Sequence, residues 1–274
     1  MRWVSEAGNV LFNKKGKTTR MLGMVRDITE RKNTEIKAAK YLVELERSNK
    51  DLEDFAGIVS HDLREPLFVI VGFLQLLNKK YGDKLDERGM DYLLRSINSA
   101  KRLHAMIEDL LSYATIATEE KTFSVCNSSD ILENALGNLY TKIKESDARI
   151  THENLPQIIA DKLQIERIFQ NLIGNSLKFC DNKRPMIHVA WKQKDGSHVF
   201  SVRDNGIGIE QKDHGNIFNI FRRLHGREDY DGSGIGLAAC SKIIERHGGR
   251  IWLKSEPGKG TIFYFTLPIN QSTR

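Results

Sequence analysis

Between residues 42 and 59, Leu42, Leu45, Asn49, Leu52, Ala56 and Val59 recur at alternating spacings of three and four. That period places them on one narrow seam of an α-helix, of the kind that a second helix buries. Asn49 takes an a position of the heptad, where a buried amide favours an in-register pair over a larger bundle. A long helix paired with a second copy of itself is therefore expected, in preference to a lone amphipathic helix. Asp27 fits its N-cap, with Glu30 as capping-box partner. The periodicity continues past Pro66, which deletes one backbone hydrogen bond and should bend the helix, and reaches Leu77. A polar loop at 78–89 then precedes a second stripe of Leu93, Ile97, Ala100, Ile107, Leu111 and Ala114. Two such stripes make an antiparallel hairpin, and two hairpins close a four-helix bundle.

Ahead of the long helix, 9–12 and 18–25 read as strands about a turn-rich connector at 13–17, too short to bury a core alone. From 123 onward the pattern becomes mixed. Strands are expected at 123–125, 186–191, 199–203, 250–254 and 261–267, with helices at 129–144, 162–179 and 235–247. Helices do not separate the strands regularly enough for a doubly wound sheet, so this half reads as an α/β sandwich.

The 274 residues suit roughly two domains. Lys plus Arg number 42 against 36 Asp plus Glu, a net charge of +6. Basic residues never run longer than two and acids are interleaved, which describes a solvated surface and no nucleic-acid partner. The longest apolar stretch, 67–77, is far short of the roughly 20 residues of a membrane helix, so no membrane segment is expected. Cys126, Cys180 and Cys240 lie too far apart for a zinc or disulfide framework, and a cytoplasmic setting is expected.

The first chemical candidate is His61. In the heptad frame it falls at f, facing solvent, where an imidazole with a pKa near ~6.5 is largely neutral and nucleophilic. Asp62 can accept from Nδ1–H and leave Nε2 free to attack. Alone, a His–Asp pair is an ordinary feature of a polar helix face.

The second is a series of clusters between residues 171 and 237. Asn171, Asn175 and Lys178 share one helical face; carboxamide oxygens suit Mg²⁺ and an ammonium meets phosphate. Asp204-Asn-Gly206-Ile-Gly208 follows a strand, so its carboxylate can accept from an adenine amino group while the glycines let backbone approach the base. Arg223 closes the stretch begun at Ile217. Gly232-Ser-Gly234-Ile-Gly236-Leu237 opens a helix whose N-terminus offers N–H donors to a polyphosphate. Each cluster singly is an ordinary turn, hairpin or cap; together, in this order, they describe a nucleotide site. Neither a P-loop nor the His-Arg-Asp and Asp-Phe-Gly elements of a eukaryotic-type protein kinase are present.

Over residues 29–268 these elements resemble a sensor histidine kinase of two-component signalling, and 22–32 resembles the exit of a PAS sensory domain. The resemblance implies an H box at 60–67 with His61 as phosphoacceptor. It implies an N box at 171–179 with Asn175 on Mg²⁺, a G1 box at 204–209 with Asp204 on adenine, and an F box at 218–223 with Arg223 near the γ-phosphate. A G2 box follows at 232–237. The implied fold class is α+β: a dimeric helical hairpin, forming a four-helix bundle entered by a coiled-coil linker, followed by an α/β-sandwich ATP-binding domain of the Bergerat type. The implied divisions are 1–28 (PAS-like strands), 29–60 (linker), 61–118 (phosphoacceptor hairpin) and 119–274 (ATP-binding domain). ATP and Mg²⁺ are the implied cofactors. A second copy, the receiver domain of a separate response regulator and an upstream sensory domain are the implied partners.

Two positions depart from relatives. ATP-hydrolysing members of the fold, such as gyrase- and chaperone-type ATPases, carry a Glu where this chain has Asn171, which cannot act as a base. Many kinases carry Thr or Asn where this chain has Glu65, so a kinase-biased enzyme with little phosphatase activity is expected. An ATPase in which His61 is incidental and a non-catalytic dimeric scaffold stand as alternatives.

Overall fold

In the computed structural model the backbone is described for residues 2–12, 18–116, 123–181, 184–224 and 232–269, and the side chains for these except 10, 12, 18–22, 45, 46 and 48–61. The chain divides into two units, Met1–Phe55 and Ala56–Arg274. In the first, β1 (Val4–Phe12) and β2 (Thr18–Asp27) form an antiparallel ladder. β1 begins five residues earlier than its side-chain pattern suggests, because pairing with β2 holds Val4 to Gly8 extended despite their lack of apolar alternation. The expected connector at 13–17 lies outside the described residues. Helix α1 (Thr29–Tyr81) opens where the Asp27 carboxylate accepts from the Thr29 N–H at 2.9 Å. The Thr29 hydrogen bonds hold that carboxyl below its usual range. Leu42 is 59% exposed; the other seam side chains, from Leu45 to Val59, lie outside the described residues.

In the second unit α1 runs through Pro66 without interruption. The connector to α2 (Glu87–Thr115) is shorter than the loop expected at 78–89, since α1 continues through Lys79 and Lys80, cations that suit a helix C-terminus. A 3-10 turn (Gly82–Lys84) follows, and the Asp86 carboxylate caps α2 by accepting from the Gly89 N–H at 2.7 Å. The two helices meet through Leu67, Ala100 and Ile107, flanked by Val71 and Leu74.

The sandwich follows as β3 (Ser124–Asn127), α3 (Ser128–Asn138), α4 (Tyr140–Glu145), β4 (Arg149–His152), β5 (Gln157–Ala160), α5 (Lys162–Lys178), β6 (Met186–Lys194), β7 (Ser197–Arg203), α6 (Gly236–Arg246), β8 (Ile251–Glu256) and β9 (Gly260–Pro268). The helix expected over 129–144 is two, broken at Leu139 behind the weak helix formers Gly137 and Asn138. Strands β4 and β5 are additions to the sequence reading; four residues each are too few for a period to register. The main sheet has the order β4-β6-β7-β9-β8, parallel only between β4 and β6, and β3 pairs with β5 apart from it. An Asp195–Gly196 turn with φ of 49° and 72° joins β6 to β7 in the geometry hairpins favour.

Helices α3, α5 and α6 share the core with the inner sheet face. Phe169 of α5 lies 6.3 Å from Phe200 and 5.9 Å from Phe265, rings that stack on each other at 4.9 Å. Ile165, Ile168, Phe169, Leu172 and Ile173 are fully buried. At 1.5–3 kcal/mol each, on the order usual for such side chains, their burial anchors α5 and fixes which face it turns outward. This is a helical hairpin followed by an α/β domain, an α+β fold of the Bergerat type. Among the described residues no helix is long and apolar enough to cross a membrane.

Candidate nucleotide site and phosphoacceptor helix

The outward face of α5 carries Asn171, Asn175 and Lys178, and all three line a cavity of about 790 Å³. Asp204, Gly208, Arg223, Gly232, Gly234, Gly236 and Leu237 line the same cavity. Of the expected nucleotide residues Gly206 alone stands off its wall. A Cβ there would come within 2.4 Å of the Phe179 carbonyl, so its lack of a side chain serves packing against α5.

Asp204 is 8% exposed at the end of β7. Its Oδ1 accepts from the Gly206 and Thr261 N–H groups at 2.9 and 3.0 Å, and its Oδ2 from Ser176 Oγ at 3.2 Å. Burial nevertheless pushes its carboxyl above the ordinary range, the three hydrogen bonds opposing that rise in part. Ser176 and Thr261 were not among the expected site residues. Ser176 is legible as a hydroxyl in the mostly apolar α5 stripe; Thr261 is not, because only strand pairing brings it to Asp204. Gly208, with φ of 75°, passes so close to Glu256 that a Cβ would meet its carbonyl oxygen at 2.1 Å. Both glycines that the sequence assigns to close approach of a base thus have partners within the protein.

At the entrance to α6, Gly236 leaves room for Asn171, whose Oδ1 lies 2.6 Å from where a Cβ would stand, while Asn171 Nδ2 donates to the Arg167 carbonyl at 3.0 Å. The Ile235 side chain supplies no cap to α6, which leaves the N–H groups of the helix's first turn available to an anion. Arg223 Nη1 donates to the Gly232 carbonyl at 2.9 Å and Lys178 Nζ stands 4.3 Å from the Phe179 ring centroid, so two cations border that entrance. Within the described residues no hydrogen bond engages the Asn175 side chain, a carboxamide left for a ligand on the cavity wall. One acceptor for an amino group, two cations, open N–H donors and a spare carboxamide oxygen fit an adenine nucleotide with its metal ion.

His61 and Asp62 lie in α1, and Asp62 is not on the wall of this cavity. Asp62 is exposed; the side chain of His61, and with it the expected solvent-facing position, lies outside the described residues. Two residues after Asp62, Arg64 donates to Glu108 of α2 at 2.6 Å, across the hairpin.

Residues 160–271 match the family described as histidine kinase-, DNA gyrase B- and HSP90-like ATPase, and residues 51–119 match the His Kinase A (phospho-acceptor) domain. The chain belongs to the sensor histidine kinases. This kinase is 42% identical over 231 residues to cyanobacterial phytochrome A of Nostoc sp., covering 84% of the chain. It spans only about 30% of that relative's length. Among solved structures it is similar to full-length ShkA in complex with AMPPNP, with a TM-score of 0.63 at 25% identity over 81% of this chain and 47% of that one. The ThkA histidine kinase in complex with response regulator protein TrrA shares the fold, with a TM-score of 0.58 at 20% identity over 98% of this chain and 76% of that one.

Proposed function

We propose that this kinase transfers the γ-phosphoryl group of ATP to His61 and passes it to an aspartate of a separate response regulator. The observation that carries the reading is the convergence of Asp204, Asn175, Lys178, Arg223 and the uncapped α6 entrance on one cavity. Asp204 accepts from the adenine amino group. Lys178, Arg223 and the α6 N–H groups meet the phosphates, supported by the AMPPNP-bound ShkA relative. Asn175 holds Mg²⁺, which when bound neutralises phosphate charge. Asp62 accepts Nδ1–H of His61, so that the Nε2 lone pair forms the bond to phosphorus as the bond from phosphorus to the ADP oxygen breaks. The ring proton stays on Nδ1 facing Asp62, and the resulting P–N bond is weak enough to hand its phosphoryl group to a carboxylate.

The divisions 1–28, 29–60, 61–118 and 119–274 are retained as the functional segments, with a sensory input reaching the hairpin through α1 in a cytoplasmic setting. A homodimer is part of the reading. The heptad frame that runs through residues 42–59 continues in register to Leu63, Ile70, Phe73 and Leu77, which are 48%, 51%, 64% and 45% exposed on the single chain. These lie off the face by which Leu67, Val71 and Leu74 meet α2. With Asn171 in place of a general base, hydrolysis by activated water is disfavoured. Steady-state ATP turnover should therefore fall to a small fraction in His61→Ala; unchanged release of free phosphate would mean an ATPase in which His61 has no part.

A further inference from the structure

Among the described residues, one from the helical hairpin, Asp109 of α2, lies on the wall of the nucleotide cavity. Its Oδ2 accepts from Ser233 Oγ at 2.5 Å, and Ser233 Oγ accepts from the Ile235 N–H at 3.2 Å. A carboxylate thus stands, through one hydroxyl, at the positive end of α6, where the nucleotide reading places phosphate. The adjacent Glu108 holds Arg64 of α1. Two consecutive carboxylates of α2 therefore serve different masters, one within the hairpin and one in the nucleotide site.

The same docking continues toward the end of α2. Arg167 Nη1 donates to the Ser112 carbonyl at 3.1 Å, Lys242 Nζ to that of Tyr113 at 3.2 Å, and Arg246 to that of Ile116. These include carbonyls of the helix's last turn, which lack intrahelical partners. Ile116 itself is 2% exposed within the sandwich core. The end of α2, from Ser112 to Ile116, is thus anchored to the sandwich.

A triphosphate carries several negative charges into this cradle. Asp109 repels it, and the Ser233 hydroxyl has one proton to donate and can serve only one acceptor. We propose that Asp109 is an internal competitor for phosphate: its contact with Ser233 adds to the docking of the sandwich on α2, and ATP loosens that docking by displacing it. The inference deepens the nucleotide reading above and rests on it. ATP then acts both as phosphoryl donor and as the signal that frees the ATP-binding domain to move along the hairpin.

The test is equilibrium binding of AMPPNP with Mg²⁺ to the full chain, to Asp109→Asn and to the charge-retaining Asp109→Glu. Removal of one partly screened like charge should tighten binding about tenfold in Asp109→Asn, while Asp109→Glu stays near the wild type. In the wild type, AMPPNP should also speed amide hydrogen exchange over residues 110–116. Equal or weaker binding by Asp109→Asn, or unchanged exchange over 110–116 in a nucleotide-saturated wild type, overturns the proposal. Failure of wild type and Asp109→Asn alike to bind AMPPNP overturns instead the nucleotide reading beneath it.

Discussion

Asp204 shows how a single side chain can be held in a state that folding alone would not choose. Its carboxyl titrates above the ordinary 3.8 because burial penalises the charge more than three hydrogen bonds repay. A raised folded-state pKa contributes stability below the unfolded value, and that contribution is lost as pH rises through the folded one. Asp204→Asn should therefore match the wild type in acid and melt higher at neutral pH, measured by thermal unfolding across that range. Loss of the charged acceptor should at the same time weaken AMPPNP binding by about 10- to 100-fold. Gly208 carries the opposite kind of constraint. Gly208→Ala places a methyl against the Glu256 carbonyl at a positive φ, and should destabilise the domain by about 2–4 kcal/mol in urea unfolding.

At the scale of elements, α5 does two things with two faces: apolar residues lock it to the sheet, and that fixes where Asn171, Asn175 and Lys178 point. Phe169→Ala, which removes the ring packed between helix and sheet, should cost about 3–5 kcal/mol of unfolding free energy and weaken nucleotide binding without touching the cavity. This two-faced pattern is legible in the chain itself, because a 17-residue helix repeats its period several times. The same holds for the α2 stripe, where Leu93, Ile97, Ala100, Ile107 and Ala114 are buried and Leu111 half-buried. What stays hidden is whatever depends on partners distant in sequence. Strands β4 and β5 exist through pairing, Thr261 reaches Asp204 through strand register, and Asp109 joins the nucleotide site only because α2 docks on α6. No local pattern distinguishes Asp109 from the other acids on its helix.

At the scale of the whole molecule, the proposed function joins a nucleotide cradle in the C-terminal half to a phosphoacceptor on a paired helical stalk. The exposed seam on α1 predicts that Phe73→Asp lowers the dimer fraction in light scattering, since a charge would then face its own copy in a coiled-coil core. Glu65, exposed one turn beyond His61, predicts that added ADP does not accelerate loss of phosphate from a phosphorylated regulator; rapid loss abolished by Glu65→Ala would contradict a kinase-biased enzyme. The central claim, that ATP held at Asp204 phosphorylates the imidazole at position 61, has one direct measurement. The wild-type chain, incubated with γ-labelled ATP and Mg²⁺, should acquire a label that acid removes and alkali spares, and both His61→Gln and Asp204→Asn should fail to acquire it. A label that persists in His61→Gln, or free phosphate with no labelled protein, would contradict the account.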